Sequence, residues 1–194
     1  MTAMTKVVLL LPASGPSGQV SMYREIFGTD RSHAGGPAFA LTVARQRPRA
    51  ALAQADIVAV APGARGALGD DEVAVALREA VRRGCRILAV GGAVHTVAAA
   101  GLLDGRPVAA GPADAEELRR CHPRVRVAVG VRFVDDDPIF TATAGVDLCL
   151  HVVRKYHGAA AAVAISRSLN RFISFSDSKL PKEFRYVDDL KYLV

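Results

Sequence analysis

The segment from Arg86 to Arg106, RILAVGGAVHTVAAAGLLDGR, constrains the fold more than any other part of the chain. An apolar run, Arg86 to Val90, ends in the pair Gly91-Gly92 and passes without a spacer into a helix-like stretch from about Ala93 to Ala100. That order predicts a strand, a tight turn and a helix. Such a turn exposes whatever stands at its apex, and it points the first N–H groups of the helix, which have no intrahelical acceptor, at the same space. A nucleophile at the apex would be presented to a ligand. Here the apex is glycine, so the turn is kept without a side chain that can attack anything.

The same alternation continues on both sides of that segment. Val7 to Leu11 reads as a first buried strand, Ser21 to Phe27 as part of a first helix, Ala38 to Ala44 as a second strand and Ile57 to Val60 as a third. Asp71 to Arg83 is an amphipathic helix closed by Gly84. Val125 to Val131 alternates apolar and polar residues, as a half-exposed strand or hairpin does, and Phe133-Val134 with Ile139-Phe140 flank a turn at Asp135 to Pro138. Gly145 to Tyr156 and Ala159 to Leu169 are the closing helices. Strand and helix in alternation predict an α/β domain with a mostly parallel sheet and helices on both faces. The chain has 194 residues, 51% of them hydrophobic, enough to bury a full core in one domain without a metal or disulfide staple.

Several functional classes fall away on composition. The formal charge of +6 comes mainly from arginines spread along predicted helix faces, among them Arg78, Arg82, Arg83, Arg119 and Arg120. With no helix-turn-helix, zinc or aromatic-stacking pattern beside them, nucleic-acid binding by this chain alone is not expected. The apolar run Val7 to Pro12 is too short for a signal peptide or a membrane span, so no membrane association is expected. Cys85, Cys121 and Cys149 are odd in number and widely spaced, which fits a reducing cytoplasmic compartment. Cys85 and Cys149 sit in apolar runs and are expected in the core. Cys121 adjoins His122, but adjacency in sequence is not catalytic geometry. No metal-ligand spacing and no cofactor motif is present, so neither a metal nor a cofactor is expected.

The elbow segment is similar to the nucleophile elbow of the ThiJ/PfpI superfamily, within the class I glutamine amidotransferase-like fold, and most of all to the branch holding isonitrile hydratase and the sensor domains of AraC-type regulators. In that branch the elbow cysteine lies ten residues before the glycine of an A-G-L-L-x-G run. Ala100-Gly101-Leu102-Leu103-Asp104-Gly105 matches that run, which puts Gly91 at the cysteine position. The resemblance extends upstream through Ala55 to Gly63 and downstream through Glu116-Glu117-Leu118, Pro123 and Ala144 to His151, ending near Leu169. It therefore covers most of the chain, in short stretches. It implies a flavodoxin-like three-layer sandwich over residues 1–170, and a homodimer. Where the family has T-H-W, with a histidine near the nucleophile, this chain has Ala110-Gly111-Pro112, and the T-S-A-G turn looks shortened in Thr141 to Gly145. The resemblance thus implies the fold while leaving out cysteine chemistry.

The resemblance also nominates residues. Glu25, in Tyr23-Arg24-Glu25-Ile26-Phe27, matches the family's glutamate that faces the nucleophile; a carboxyl buried there would be suited to proton transfer. Its other reading is an ordinary helix residue paired with Arg24 or a lysine of the tail. His95 lies one helical turn past Gly91 and either looks toward the pocket, where it would complement Glu25, or packs between helix and sheet. Ligands of open parallel sheets bind outside the carboxyl ends of the strands. The loops expected there are Ala13 to Gly18, Pro62 to Arg65, Gly91 to His95 and Asp137 to Thr143. Backbone N–H groups at Gly92 and around Gly63-Ala64 could form an oxyanion-type cradle without any side chain, and Arg65 could hold an anionic group or lie on the surface. Gly91 itself would leave space where family members hold sulfur. Asp147 and His151 share a helix face and read as structural, and His33 stands in a glycine-rich loop.

Residues 171–194, richer in aromatics and charge, have no counterpart in the family and read as an extension packing on the domain or on a second subunit. Two functional classes follow. One is a cofactor-independent enzyme acting on a small metabolite by acid/base work of Glu25 and His95, of hydratase, lyase, isomerase or cyclase type. The other is a non-catalytic ligand-binding or regulatory protein on the same scaffold.

Overall fold

In the computed structural model, the structure describes residues 4–11, 17–29, 39–45, 47–62 and 70–176. Apolar β-branched runs form the strands β1 (Thr5–Leu10), β3 (Ile57–Val60) and β4 (Arg86–Val90), and they lie in the middle of the molecule because both of their faces are apolar. With β2 (Phe39–Ala44), β7 (Phe133–Asp136) and β8 (Ile139–Ala142) they make a six-stranded sheet of order β2-β1-β3-β4-β8-β7. Every pairing in it is parallel except the β7–β8 hairpin. This is the mostly parallel α/β sheet that the sequence predicts.

Alternate strand residues feed two separate cores. Val8, Leu10, Val58, Val60, Ile87 and Ala89 face one side, where α2 (Pro48–Leu52), α3 (Asp70–Arg82) and α4 (Ala93–Ala99) pack. Val7, Leu9, Ala59, Leu88, Val90 and Phe140 face the other, under α1 (Ser17–Phe27), α6 (Gly145–His157) and α7 (Ala159–Ser176). The result is a three-layer sandwich with helices on both faces. Helix α3 closes at Gly84, and α7 runs on to Ser176, through the expected boundary at 170. The remainder of the tail, from 177, lies outside the described residues.

The sequence expectation for Val125 to Val131 needs refining. The strand there is β6 (Arg126–Val129), and its partner is the parallel strand β5 (Pro107–Ala110), joined to it through α5 (Pro112–Cys121). It is a crossover pair and not a hairpin. This small sheet packs on the α4 side and is tied to the large one by polar contacts. The Ala109 N–H donates to Thr141 Oγ1 at 2.9 Å, and Arg106 pairs with Asp136 at 2.9 Å.

Candidate functional site

Strand β4 delivers the chain to the elbow. Gly91 takes φ +53°, a left-handed conformation that costs glycine little and other residues more, and its N–H donates to the Ala142 carbonyl at 2.9 Å, which pins the turn to β8. Gly92 caps α4. A Cβ built on Gly91 meets no atom within 4 Å, and one on Gly92 meets only Pro62 Cβ at 3.9 Å. The apex is therefore open, and it lies at the carboxyl end of β4, beside the end of β3.

Among the described side chains of α1, Met22 reaches the start of α6. The space that a Cβ on Gly145, the first residue of α6, would need is taken by Met22, whose Cε would lie 2.8 Å and Sδ 3.2 Å from it; Val90 Cγ1 would lie at 3.8 Å. The chain after β1 enters α1 at the same end of the sheet, so residues further along α1 lie further from the elbow. At 1.5 Å rise per residue, Glu25 stands about 12 Å along α1 from Ser17. Ser168 of α7 donates to a Glu25 carboxylate oxygen at 2.5 Å. Glu25 also borders an open groove of about 650 Å³ between α1 and the edge strand β2, with Ser21, Arg24, Gly28, Thr29, Leu41 and Val43. A Cβ on Gly91 would meet no atom within 4 Å, so Glu25 is not in contact with the apex.

His95 is buried, 8% exposed, and belongs to the opposite helical layer. Its Nε2 faces α5, 3.6 Å from Glu117 Oε2 and 3.9 Å from Asp114 Oδ1, ion-pair distances too long for hydrogen bonds. The His122 ring lies 6.2 Å away, centroid to centroid. Glu25 and His95, nominated as partners, are thus set on α1 and α4, on either side of the sheet. Gly63, Ala64 and Arg65, like His33, lie outside the described residues. Among the described residues no group of three or more histidine, cysteine or carboxylate side chains is arranged to hold a metal ion, and no helix is long and apolar enough to cross a membrane.

One loop expected beside the elbow is at the other end. The Ile87 N–H donates to the Pro138 carbonyl at 2.9 Å, so the Asp137-Pro138 turn adjoins the start of β4, and only the Thr141 to Thr143 side of that segment approaches Gly91. The physical reason is the strand direction: β8 runs parallel to β4, so a turn that precedes β8 lies at the amino end of both.

The thiols do not supply what Gly91 lacks. Cys85 and Cys149 are buried; burial pushes the Cys85 thiol up to about 11 and the Cys149 thiol higher still, so neither forms a thiolate near neutrality. Cys121 is exposed at the end of α5.

These features are those of a known architecture. A crystal structure of an AraC family transcriptional regulator from Pseudomonas putida is similar to this chain at a TM-score of 0.72 and 19% identity, over 85% of this chain and 99% of that one. Drosophila melanogaster DJ-1beta is similar at 0.69 and 14%, over 87% and 98%. The chain has the DJ-1 and ThiJ/PfpI fold. A ThiJ/PfpI family protein from Pseudomonas syringae matches at 0.65 and 14%, over 92% of this chain and 78% of that one. No family model and no curated protein matches the sequence.

Sequence reasoning did not single out Met22, Gly145, Ser168, Asp114 or Glu117. Ser168 lies 143 residues from Glu25, and no local pattern signals such a contact. Asp114 and Glu117 share one face of α5 at three-residue spacing, which was visible, but what they face was not.

Proposed function

We propose that this chain is a small-molecule-binding member of the ThiJ/PfpI superfamily whose elbow receives its ligand without covalent chemistry, in a regulatory role. The observation that carries this reading is Gly91: the turn keeps its left-handed geometry, and the place a nucleophilic side chain would take is open. The likeness to an AraC family transcriptional regulator over nearly all of that chain supports a regulatory use of the binding event. A homodimer is the assembly proposed with it; a monomeric mass by light scattering overturns that part.

The test is a small-metabolite panel screened by thermal shift on the wild-type protein and on Gly91→Asn. Asparagine tolerates the left-handed conformation and fills the open space. Ligands that stabilise the wild type and not the variant support the elbow as the binding place; ligands that stabilise both equally overturn it.

A second reading is the cofactor-independent acid/base enzyme, and the groove beside Glu25 favours it, since a carboxylate held by Ser168 at the rim of an open groove can meet a ligand. In that reading Glu25→Gln abolishes turnover of a panel metabolite. A folded Glu25→Gln protein with full turnover removes it. His95, directed at α5, would have to serve by another route.

A further inference from the structure

The small sheet ends in a strand with one edge turned outward. The Arg126 N–H donates to the Arg106 carbonyl at 3.0 Å, and the Gly105 N–H donates to the Arg124 carbonyl at 2.7 Å, so β6 gives the backbone groups of alternate residues to β5. In a strand those groups alternate between the two edges, which turns the N–H and C=O of Val127 and Val129 away from β5. The far edge of β5 faces the large sheet, where the Ala109 N–H meets Thr141. Among the described residues no strand pairs with the outer edge of β6. The apolar face of β6 also runs past the core. Val125 is buried, and Val127 packs on the same core as Ala115 and Leu118 of α5, whereas Val129 is 45% exposed and Val131, just beyond it, 38%. Two of the four large apolar side chains exposed among the described residues thus stand together at the end of this strand.

Resting on the homodimer reading, we propose that the outer edge of β6 is where a second copy of this chain docks, by antiparallel pairing of the two β6 strands about a two-fold axis at Ala128. In that register Val127 of each copy exchanges both backbone hydrogen bonds with Val129 of the other. Ala128 meets its own counterpart at a position without hydrogen bonds, where side chains approach closest, and a methyl group fits there. Arg126 falls opposite Gly130 and not opposite a second arginine. Helix α5 adds charge complementarity. It carries Asp114, Glu116 and Glu117 in its first half and Arg119 and Arg120 at its end, with Glu116, Arg119 and Arg120 exposed. An axis perpendicular to the joined sheet keeps both α5 helices on one face and makes them antiparallel, the acidic half of one alongside the basic end of the other. A right-handed crossover sets α5 over the middle of its own strand pair, so the two helices stand about 10 Å apart, within packing reach. Val127 and Val129 lie beneath that seam.

The experiment is sedimentation equilibrium of the full chain and its variants, with the wild type expected to be a dimer. Val129→Lys, at an exposed position, sets a charge against Val127 of the other copy and is expected to raise the dimer dissociation constant about tenfold or more. Val129→Pro removes an N–H that points away from β5, so it leaves the pairing with β5 in place and is expected to weaken the dimer likewise. Val163→Lys, at an exposed apolar residue of α7, is expected to dimerise as the wild type does. Glu116→Arg and Arg120→Glu should each weaken the dimer several-fold, and the two combined should restore it. A wild type that is monomeric overturns both the homodimer reading and this interface. A wild-type dimer that Val129→Lys and Val129→Pro leave intact overturns the β6 interface alone, and the homodimer reading survives. Should Val129→Lys dissociate while the combined charge swap recovers nothing, β6 stands and the pairing of the α5 helices is removed. Circular dichroism of each variant establishes that it is folded before its mass is read.

Discussion

At the elbow end of the sheet, a Cβ on Gly91 would meet nothing within 4 Å, one on Gly92 only Pro62, and one on Gly145 the side chains of Met22 and Val90. At the amino end of β4 and β8 the contacts are polar and charged. Asp135 accepts from Lys155 at 2.8 and 3.0 Å and lies 2.8 Å from His151 Nε2; Tyr156 donates to Asp137 at 2.7 Å; the Arg86 guanidinium lies over the Tyr156 ring, 3.9 Å from its centroid. Burial alone would raise the Asp135 carboxyl, but hydrogen bonds from Lys155 and His151 outweigh it and hold the group below its ordinary value. The hydrogen bond to Asp135 in turn raises Lys155. The comparison teaches that a perturbed, densely charged cluster can serve as a structural clamp: here the charges bind the β7–β8 hairpin to α6.

The largest expected effect that tests this contrast is Gly91→Val. A β-branched residue held at φ +53° costs on the order of 1–3 kcal/mol, to be measured by chemical denaturation. An unchanged midpoint would mean that the turn does not hold the left-handed geometry on which the elbow depends.

Next comes Thr141→Val, which removes the buried acceptor of the Ala109 N–H and leaves that donor unsatisfied, at a cost of about 1–2 kcal/mol. Amide hydrogen exchange at Ala109 should accelerate in the variant. Protection equal to that of the wild type would show that the small sheet is held to the large one by other contacts.

Asp135→Asn is expected to cost less, below about 1 kcal/mol, because the group is largely solvated and salt screens it. The sign with pH is fixed by the direction of the shifts. A carboxyl lowered on folding stabilises above its unfolded value and loses that contribution as pH falls through its folded value. Lys155, raised on folding, contributes below its ordinary value and loses that as pH rises through the folded one. The difference in stability between wild type and variant should therefore be full at neutral pH and vanish in acid. A difference that grows on acidification would reverse the assignment.

The smallest effect is on stability and the clearest on labelling. Iodoacetamide at neutral pH should modify Cys121 alone, with Cys85 and Cys149 reacting only after unfolding, as read by mass spectrometry. Rapid native labelling of Cys85 or Cys149 would restore thiol chemistry as a possibility for this protein.

What was legible in the sequence was local. The strands β3 and β4 stand out because both of their faces are buried and the runs are continuous; the turn at Gly91-Gly92 stands out because glycine pairs between a strand and a helix have few other uses. Asp147 and His151 read as structural from their four-residue spacing, and they face Arg132 and Asp135. The four-residue β5 was not separable from a loop by periodicity, so β6 was left without its parallel partner.

The sequence by itself determined the alternation of elements, the two-faced core and an elbow without a nucleophile, because each follows from side-chain period and glycine placement within a short window. Only the tertiary structure decided that Met22 packs at Gly145, that Glu25 is bonded to Ser168, that His95 turns to α5 and that the Asp137-Pro138 turn is at the far end. Each of these depends on the direction in which distant elements cross the sheet. Side chains far apart in the chain are brought together by packing, and packing leaves no periodic trace in the sequence.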